Sequence, residues 1–93
     1  MVQARWNGAV VADSDATVVV EGNHYFPRAA ANAALLSDSV TTSFCPWKGT
    51  ARYHHVTVDG QVNEDAAWYY PDPRDAAAEI KDRIAFWKGV AVG

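Results

Sequence analysis

Three two-residue turn signals, Asn7-Gly8, Gly22-Asn23 and Asp59-Gly60, constrain this chain more than any other feature. Each sets residues that tolerate positive φ between runs rich in valine, threonine and aromatic side chains, the combination that primed hairpin turns require. The first pairs Arg5-Trp6 with Ala9-Val10. The second sets Val18 to Glu21 against His24 to Pro27, so that Val20 faces Tyr25 and Val19 faces Phe26. The third pairs Ala51 to Val58 with Gln61 to Trp68. Neighbours joined by two-residue links run antiparallel, because parallel neighbours need a long crossover.

Two covering helices are expected between the hairpins. Asp72 is a good N-cap, Pro73 suits the first helical position and Asp75 the first turn, so the longer helix runs from Asp72 to about Arg83. Ala77, Ile80 and Ile84 would form its buried stripe, with Glu79 and Arg83 paired four apart on the outside. The shorter helix spans Arg28 to Leu36, opened by Pro27 and ended by Ser37-Asp38. Ala85-Phe86-Trp87 and Val90-Ala91-Val92 read as short closing strands. The fold class is therefore mainly β, a β-rich α+β arrangement. It is one small domain over residues 1–93, built of bent antiparallel sheets in a meander of hairpins with one short and one longer helix as covers.

Composition narrows the function classes. Branched aliphatics other than valine are few, so four tryptophans, four tyrosines and three phenylalanines must supply much of the core. A net charge of −3 argues against nucleic acid as partner, since phosphate binding wants a basic face. The single cysteine cannot form an internal disulfide. No apolar run approaches the roughly 18 residues of a membrane helix. Met1 to Asn7 lacks the apolar core of a signal peptide, so a cytoplasmic protein is expected.

Chemistry concentrates in two blocks, Cys45-Pro46-Trp47-Lys48-Gly49 and Glu64-Asp65-Ala66-Ala67-Trp68-Tyr69-Tyr70-Pro71. Cys45 is the one candidate covalent nucleophile, with Lys48 or a histidine to favour its thiolate; a small buried hydrophobe is the alternative. Trp47, Trp68, Tyr69, Tyr70 and Trp87 form either an aromatic wall for a flat or cationic ligand or simply core. Counting outward from Asp59-Gly60, His55 faces Glu64 and His54 faces Asp65. That would give one histidine–carboxylate pair on each face of the hairpin, for proton transfer or as plain cross-strand charge pairs. With no Cys-x-x-Cys or His-x-x-x-His spacing, and His54 and His55 diverging, no metal is expected. No glycine-rich phosphate loop of the familiar kinds is present, and no cofactor is expected.

Val20-Glu21-Gly22-Asn23-His24-Tyr25-Phe26-Pro27, then Cys45-Pro46-Trp47-Lys48-Gly49-Thr50-Ala51, then Glu64 through Pro71, closely resemble the bacterial and fungal family called domain of unknown function 427. The resemblance covers roughly Val10 to Val92. It implies a small, tent-like β domain of strongly bent sheets with little helix, and no assigned activity. Some tent-like domains hold zinc through paired Cys-x-x-Cys motifs, which this chain lacks, so zinc is not carried over. Others bind small ligands in a cage of tryptophans, an analogy of fold alone. His54-His55 falls where family members vary.

Three readings follow. The leading one is a small-ligand pocket lined by Trp47, Trp68 and Tyr70, with Lys48, Glu64 and Asp65 as polar anchors and Cys45 at its floor or edge. It requires Lys48 and Glu64-Asp65 to share a surface. The second is an enzyme with Cys45 as nucleophile or Asp65 as acid/base, and Lys48 as electrostatic stabiliser. The third is a homodimeric interaction module paired through an exposed strand edge, since Val18-Val19-Val20 is apolar on both faces.

Overall fold

Positive φ angles mark where the chain reverses: 50° and 80° at Asn7-Gly8, 53° and 78° at Glu21-Gly22, and 51° and 77° at Asp59-Gly60. The computed structural model describes residues 1–93. Its nine strands are β1 Val2–Trp6, β2 Ala9–Ser14, β3 Val18–Val20, β4 Asn23–Tyr25, β5 Leu36–Cys45, β6 Gly49–Val58, β7 Gln61–Tyr69, β8 Ile84–Phe86 and β9 Ala91–Val92. Strand makes up 59% of the chain and helical turns 13%, so the domain is mainly β. All strand pairing is antiparallel, in three sheets ordered β2-β1-β9, β3-β4 and β5-β6-β7-β8. No helix is long and apolar enough to cross a membrane.

The first hairpin has the expected register, with Trp6 opposite Ala9 and Arg5 opposite Val10. The second reverses one residue early. Its turn is Glu21-Gly22, so Val20 faces Asn23 and Val18 faces Tyr25, not Val20 facing Tyr25. A primed turn with glycine second, as at Asn7-Gly8 and Asp59-Gly60, is the favoured form, and Glu21 accepts the left-handed conformation to achieve it. In this strand Val19 is exposed while Val18 and Val20 pack inward.

Neither expected helix forms. Arg28–Ala30 and Ala33–Leu35 are single 3-10 turns. Between them Ala31 bridges to Ala12 and the Asn32 amide donates to the Val11 carbonyl at 2.7 Å. Asp75–Ile80 is a broken 3-10 segment with Ala77 non-helical at φ −121°. Ile84, expected on the helix stripe, is instead drawn into β8. Its backbone exchanges two bonds with Phe26, at 2.7 and 2.9 Å, and pairs with Tyr69. Sheet edges outcompete local helix for these backbone groups. The ten-residue strand β5 is the element that sequence reasoning missed. Most of its residues are exposed, so no hydrophobic alternation announces it.

The four-stranded sheet carries a core on each face, offset along its strands. Gly49 and Ala51 of β6 are buried on one face, and His54, Val56 and Val58 on the other. One core gathers Tyr25, Ala51, Tyr70, Ala77, Ile80 and Ala85, with Trp68 and Tyr53 at its margin. The other includes Phe26, Val56, Val58, Ala67, Ile84 and Phe86, under the β2-β1-β9 sheet. Ile84-Ala85-Phe86 is therefore buried throughout, since alternate residues serve opposite cores.

β6 is flanked by two bulges. On one side Asp38 pairs with His54 and Thr42 with Arg52, so Ser39 to Thr41 stand opposite Tyr53 alone, a surplus of two residues in β5. On the other, Val56 pairs with Asn63 and His54 with Ala67, so Glu64 to Ala66 stand opposite His55 alone, a surplus of two residues in β7. Asp65, at φ 56°, ties the two together. Its carboxylate accepts from Ser39 Oγ at 2.5 Å and Thr41 Oγ1 at 2.8 Å, while its amide donates to His55 Nδ1 at 3.0 Å. The expected His55–Glu64 and His54–Asp65 opposition is thus replaced: His54 faces Ala67, and Asp65 sits beside His55.

Candidate functional site

An open cleft of about 330 Å³ lies beside the β3–β4 hairpin, lined by Asn23, Lys48, Tyr53, Trp68, Tyr70 and Trp87. Register explains its walls. Tyr53 is directly opposite Trp68, and Trp68 is directly opposite Ala85. Tyr70 lies two residues beyond Trp68, and Trp87 two beyond Ala85, so all four rings belong to one face.

The rings are held before any ligand arrives. Trp68 Nε1 donates to the Tyr25 hydroxyl at 3.2 Å, with the two rings edge-to-face at 6.1 Å. Burial raises the Tyr25 pKa and keeps that hydroxyl protonated. Trp87 stands edge-to-face on Trp68 at 5.7 Å and donates Nε1–H to the Asp65 carbonyl at 2.5 Å. The Tyr53 hydroxyl shares a hydrogen bond with Ser43 Oγ at 2.8 Å. Walls fixed in this way lose little side-chain freedom on binding.

Lys48 is the charged element of the cleft and is only 8% exposed. Its ammonium pairs with Glu21, which the β3–β4 turn carries across to it. The Nζ also lies 5.3 Å from the Trp47 ring centroid and 5.7 Å from that of Tyr70. Burial by itself pushes the Lys48 pKa down. The Glu21 hydrogen bond, with Tyr25 and Tyr70 nearby, more than offsets this, and the net shift is upward. Lys48 is therefore a permanently charged donor at neutral pH and is unsuited to act as a neutral amine nucleophile.

Of the side chains singled out in the sequence, the cleft brings together Lys48, Trp68, Tyr70 and Trp87. Trp47 is 39% exposed and stands beside Lys48 without lining the cleft. Cys45 packs at the margin of the Tyr25–Tyr70 core. The nearest bonds of the three histidines lie elsewhere: His24 to Thr17, His54 to Arg28 and His55 to the Asp65 amide. The Glu64 and Asp65 carboxylates do not line the cleft, and the acid that reaches Lys48 is Glu21. Asp65 is held ionised, its pKa lowered first by the Ser39 hydrogen bond and further by Thr41 and the nearby Lys88 ammonium. Sequence reasoning did not assign Glu21, Asn23 and Tyr53 to the site. Glu21 and Asn23 lie in the first of the three resemblance blocks, and Tyr53 follows Gly49 and Ala51 at strand spacing, so both signals were present.

On the opposite face His54 is 6% exposed and stacks on Tyr69 at 4.7 Å. The Arg28 guanidinium donates to its Nε2 at 3.2 Å, which places the ring proton on Nδ1. Nδ1 sits 3.2 Å from the Asp38 carboxylate without the alignment of a hydrogen bond. Burial and then Arg28 lower the His54 pKa below 6.5, and the exposed Asp38 counters them only in part. Acidification then protonates the unfolded chain before the folded one, so stability is complete above the unfolded value and declines as pH falls below it. The melting temperature is expected to drop as pH is lowered from about 7.5 to 5, with each unit of pKa depression corresponding to about 1.4 kcal/mol. His54→Gln keeps an acceptor for Arg28 and removes the titration, so its curve should be flatter in that window. Equal slopes in the two proteins would refute the assignment.

A small antiparallel β domain with one preorganised aromatic cleft is what the fold and geometry define. The chain belongs to the family described as Domain of unknown function (DUF427), whose model matches residues 1–92. The match extends over β1, beyond the Val10 boundary expected from the sequence. No curated protein matches the chain closely enough to count as a relative.

Proposed function

We propose that this protein binds a small, flat ligand in the Tyr53–Trp68–Tyr70–Trp87 cleft, with a carbonyl or carboxylate of the ligand accepting from Lys48. The observation that carries the reading is the meeting of four aromatic rings and one buried, charged ammonium in a single open space. Its volume is within the range of small-molecule sites, and its few polar groups, Lys48 and Asn23, converge on it. The ammonium has three donors and Glu21 takes one, so donors remain for a ligand. A cationic ligand is disfavoured, because the cleft already holds its own cation against Tyr70. In this reading the bent sheets form a tent-like meander that leans over the ligand. Covalent catalysis receives less support: Cys45 has no histidine bonded to it, and Asp65 is an ionised acceptor committed to two hydroxyls.

A thermal-shift screen against planar aromatic carboxylates and amides tests the proposal, with Trp87→Ala and Lys48→Met run beside the wild type. Trp87 is 45% exposed, so its removal should leave the fold intact, which the variant's own melting curve checks. A ligand at about 100 times its Kd adds about 2.7 kcal/mol of stability, a shift of about 10 °C or more. That shift is expected in the wild type and not in the two variants. A hit that stabilises Trp87→Ala as much as wild type places binding elsewhere.

A further inference from the structure

A second depression, of about 430 Å³, is lined by Phe44, Gly49, Thr50, Arg52, Asp72 and Arg74, with Pro71 at its margin. Thr50 and Arg52 share the strand parity of His54, opposite to that of Tyr53, so their side chains leave β6 on the other face from the aromatic cleft. The arginines of this chain divide into two groups. Arg5 donates to Gln3, Arg28 to His54, and Arg83 to the carbonyls of Glu79 and Ala16. The guanidinium groups of Arg52 and Arg74 donate to no protein acceptor and join no ion pair, and both residues line this one groove.

Their proximity is built into the backbone. The Arg74 amide donates to the Lys48 carbonyl at 2.9 Å, which fastens the segment 72–74 against the start of β6. Gly49 permits that approach, since a Cβ there would stand 3.3 Å from the Asp72 carbonyl. Two uncompensated guanidinium groups facing one space repel each other, and each presents the donor fork that matches an oxyanion. Thr50 adds a hydroxyl with no protein partner. Asp72 offsets one of the two positive charges without pairing with either arginine, so the groove keeps a net positive charge. Phe44, 66% exposed, offers an apolar wall to whatever the anion is attached to.

We propose that the Arg52–Arg74 groove is a binding site for a small organic oxyanion, a phosphate monoester or a carboxylate carrying an apolar group. This site is independent of the aromatic cleft, and either can fail without the other.

The test is titration of the full chain with inorganic phosphate, phenyl phosphate and benzoate, read from the backbone amide NMR shifts of Thr50, Arg52 and Arg74 against sodium chloride at matched ionic strength. Saturable shifts are expected, with phenyl phosphate or benzoate binding severalfold tighter than inorganic phosphate because of Phe44. The tighter of the two organic anions names the source. Arg52→Gln and Arg74→Gln should each weaken binding about tenfold, and Asp72→Asn should strengthen it. All three positions are exposed, so unchanged melting temperatures will show the variants folded. Shifts that chloride reproduces, or that persist undiminished in the Arg52→Gln/Arg74→Gln double variant, overturn the proposal.

Discussion

Phe26→Ala should destabilise this domain by about 3–5 kcal/mol, the range for emptying a fully buried phenylalanine site. Phe26 is completely buried, packs edge-to-face on Phe86 at 5.6 Å, and exchanges two backbone bonds with Ile84. Its neighbour Tyr25 enters the other core, so this one dipeptide joins the β3–β4 hairpin to both faces of the large sheet. A domain of this size has about 5–15 kcal/mol in total, so the variant should melt more than about 12 °C lower. Urea denaturation gives the direct measure. A loss under about 1 kcal/mol would mean that the two cores are not joined at this point.

Gly49→Ala should be the most damaging of the glycine substitutions. Gly49 sits at φ 112°, outside the left-handed region that other residues tolerate, and the strain there is about 1–3 kcal/mol. The added methyl would also press on the Asp72 carbonyl at 3.3 Å. Gly8→Ala is the internal control: its φ is 80° and its Cβ would meet nothing within 4 Å. The expected order of stability is wild type, then Gly8→Ala, then Gly49→Ala. Gly49→Ala should also loosen the Arg74–Lys48 backbone bond, which faster amide exchange at Arg74 will report. Protection at Arg74 unchanged from wild type, with the two variants equally stable, would show that the 72–74 segment yields freely.

The hairpins were legible because their turn residues carry a conformational requirement that few other residues meet. The helices were misread because Asp72-Pro73 and the alanines of 29–34 satisfy local helix rules, while the decisive bonds run to distant partners, Ile84 to Phe26 and Asn32 to Val11. Local propensity cannot weigh such bonds. The site was half legible. Lys48, Trp68 and Tyr70 stood out as a concentration of aromatic and charged residues. Glu21 was hidden because its role depends on a turn displaced by one residue, and Glu64-Asp65 was misplaced because a two-residue bulge has no sequence signature when its residues are polar. The same bulge defeated the histidine register beyond Val56.

The knot that Asp65 makes between the two bulges also bears on how this protein meets other chains. β5 is the outer strand of the large sheet, ten residues long, free of proline and lysine, and it carries Val40 wholly exposed. Unbroken, such an edge would template the addition of a foreign strand. The bulged residues Ser39 to Thr41 interrupt it, and the carboxylate of Asp65 holds the interruption in place from two strands away. A strand laid along β5 would find two short ladders out of step with each other, so the fold guards its longest open flank by a defect it pins from inside.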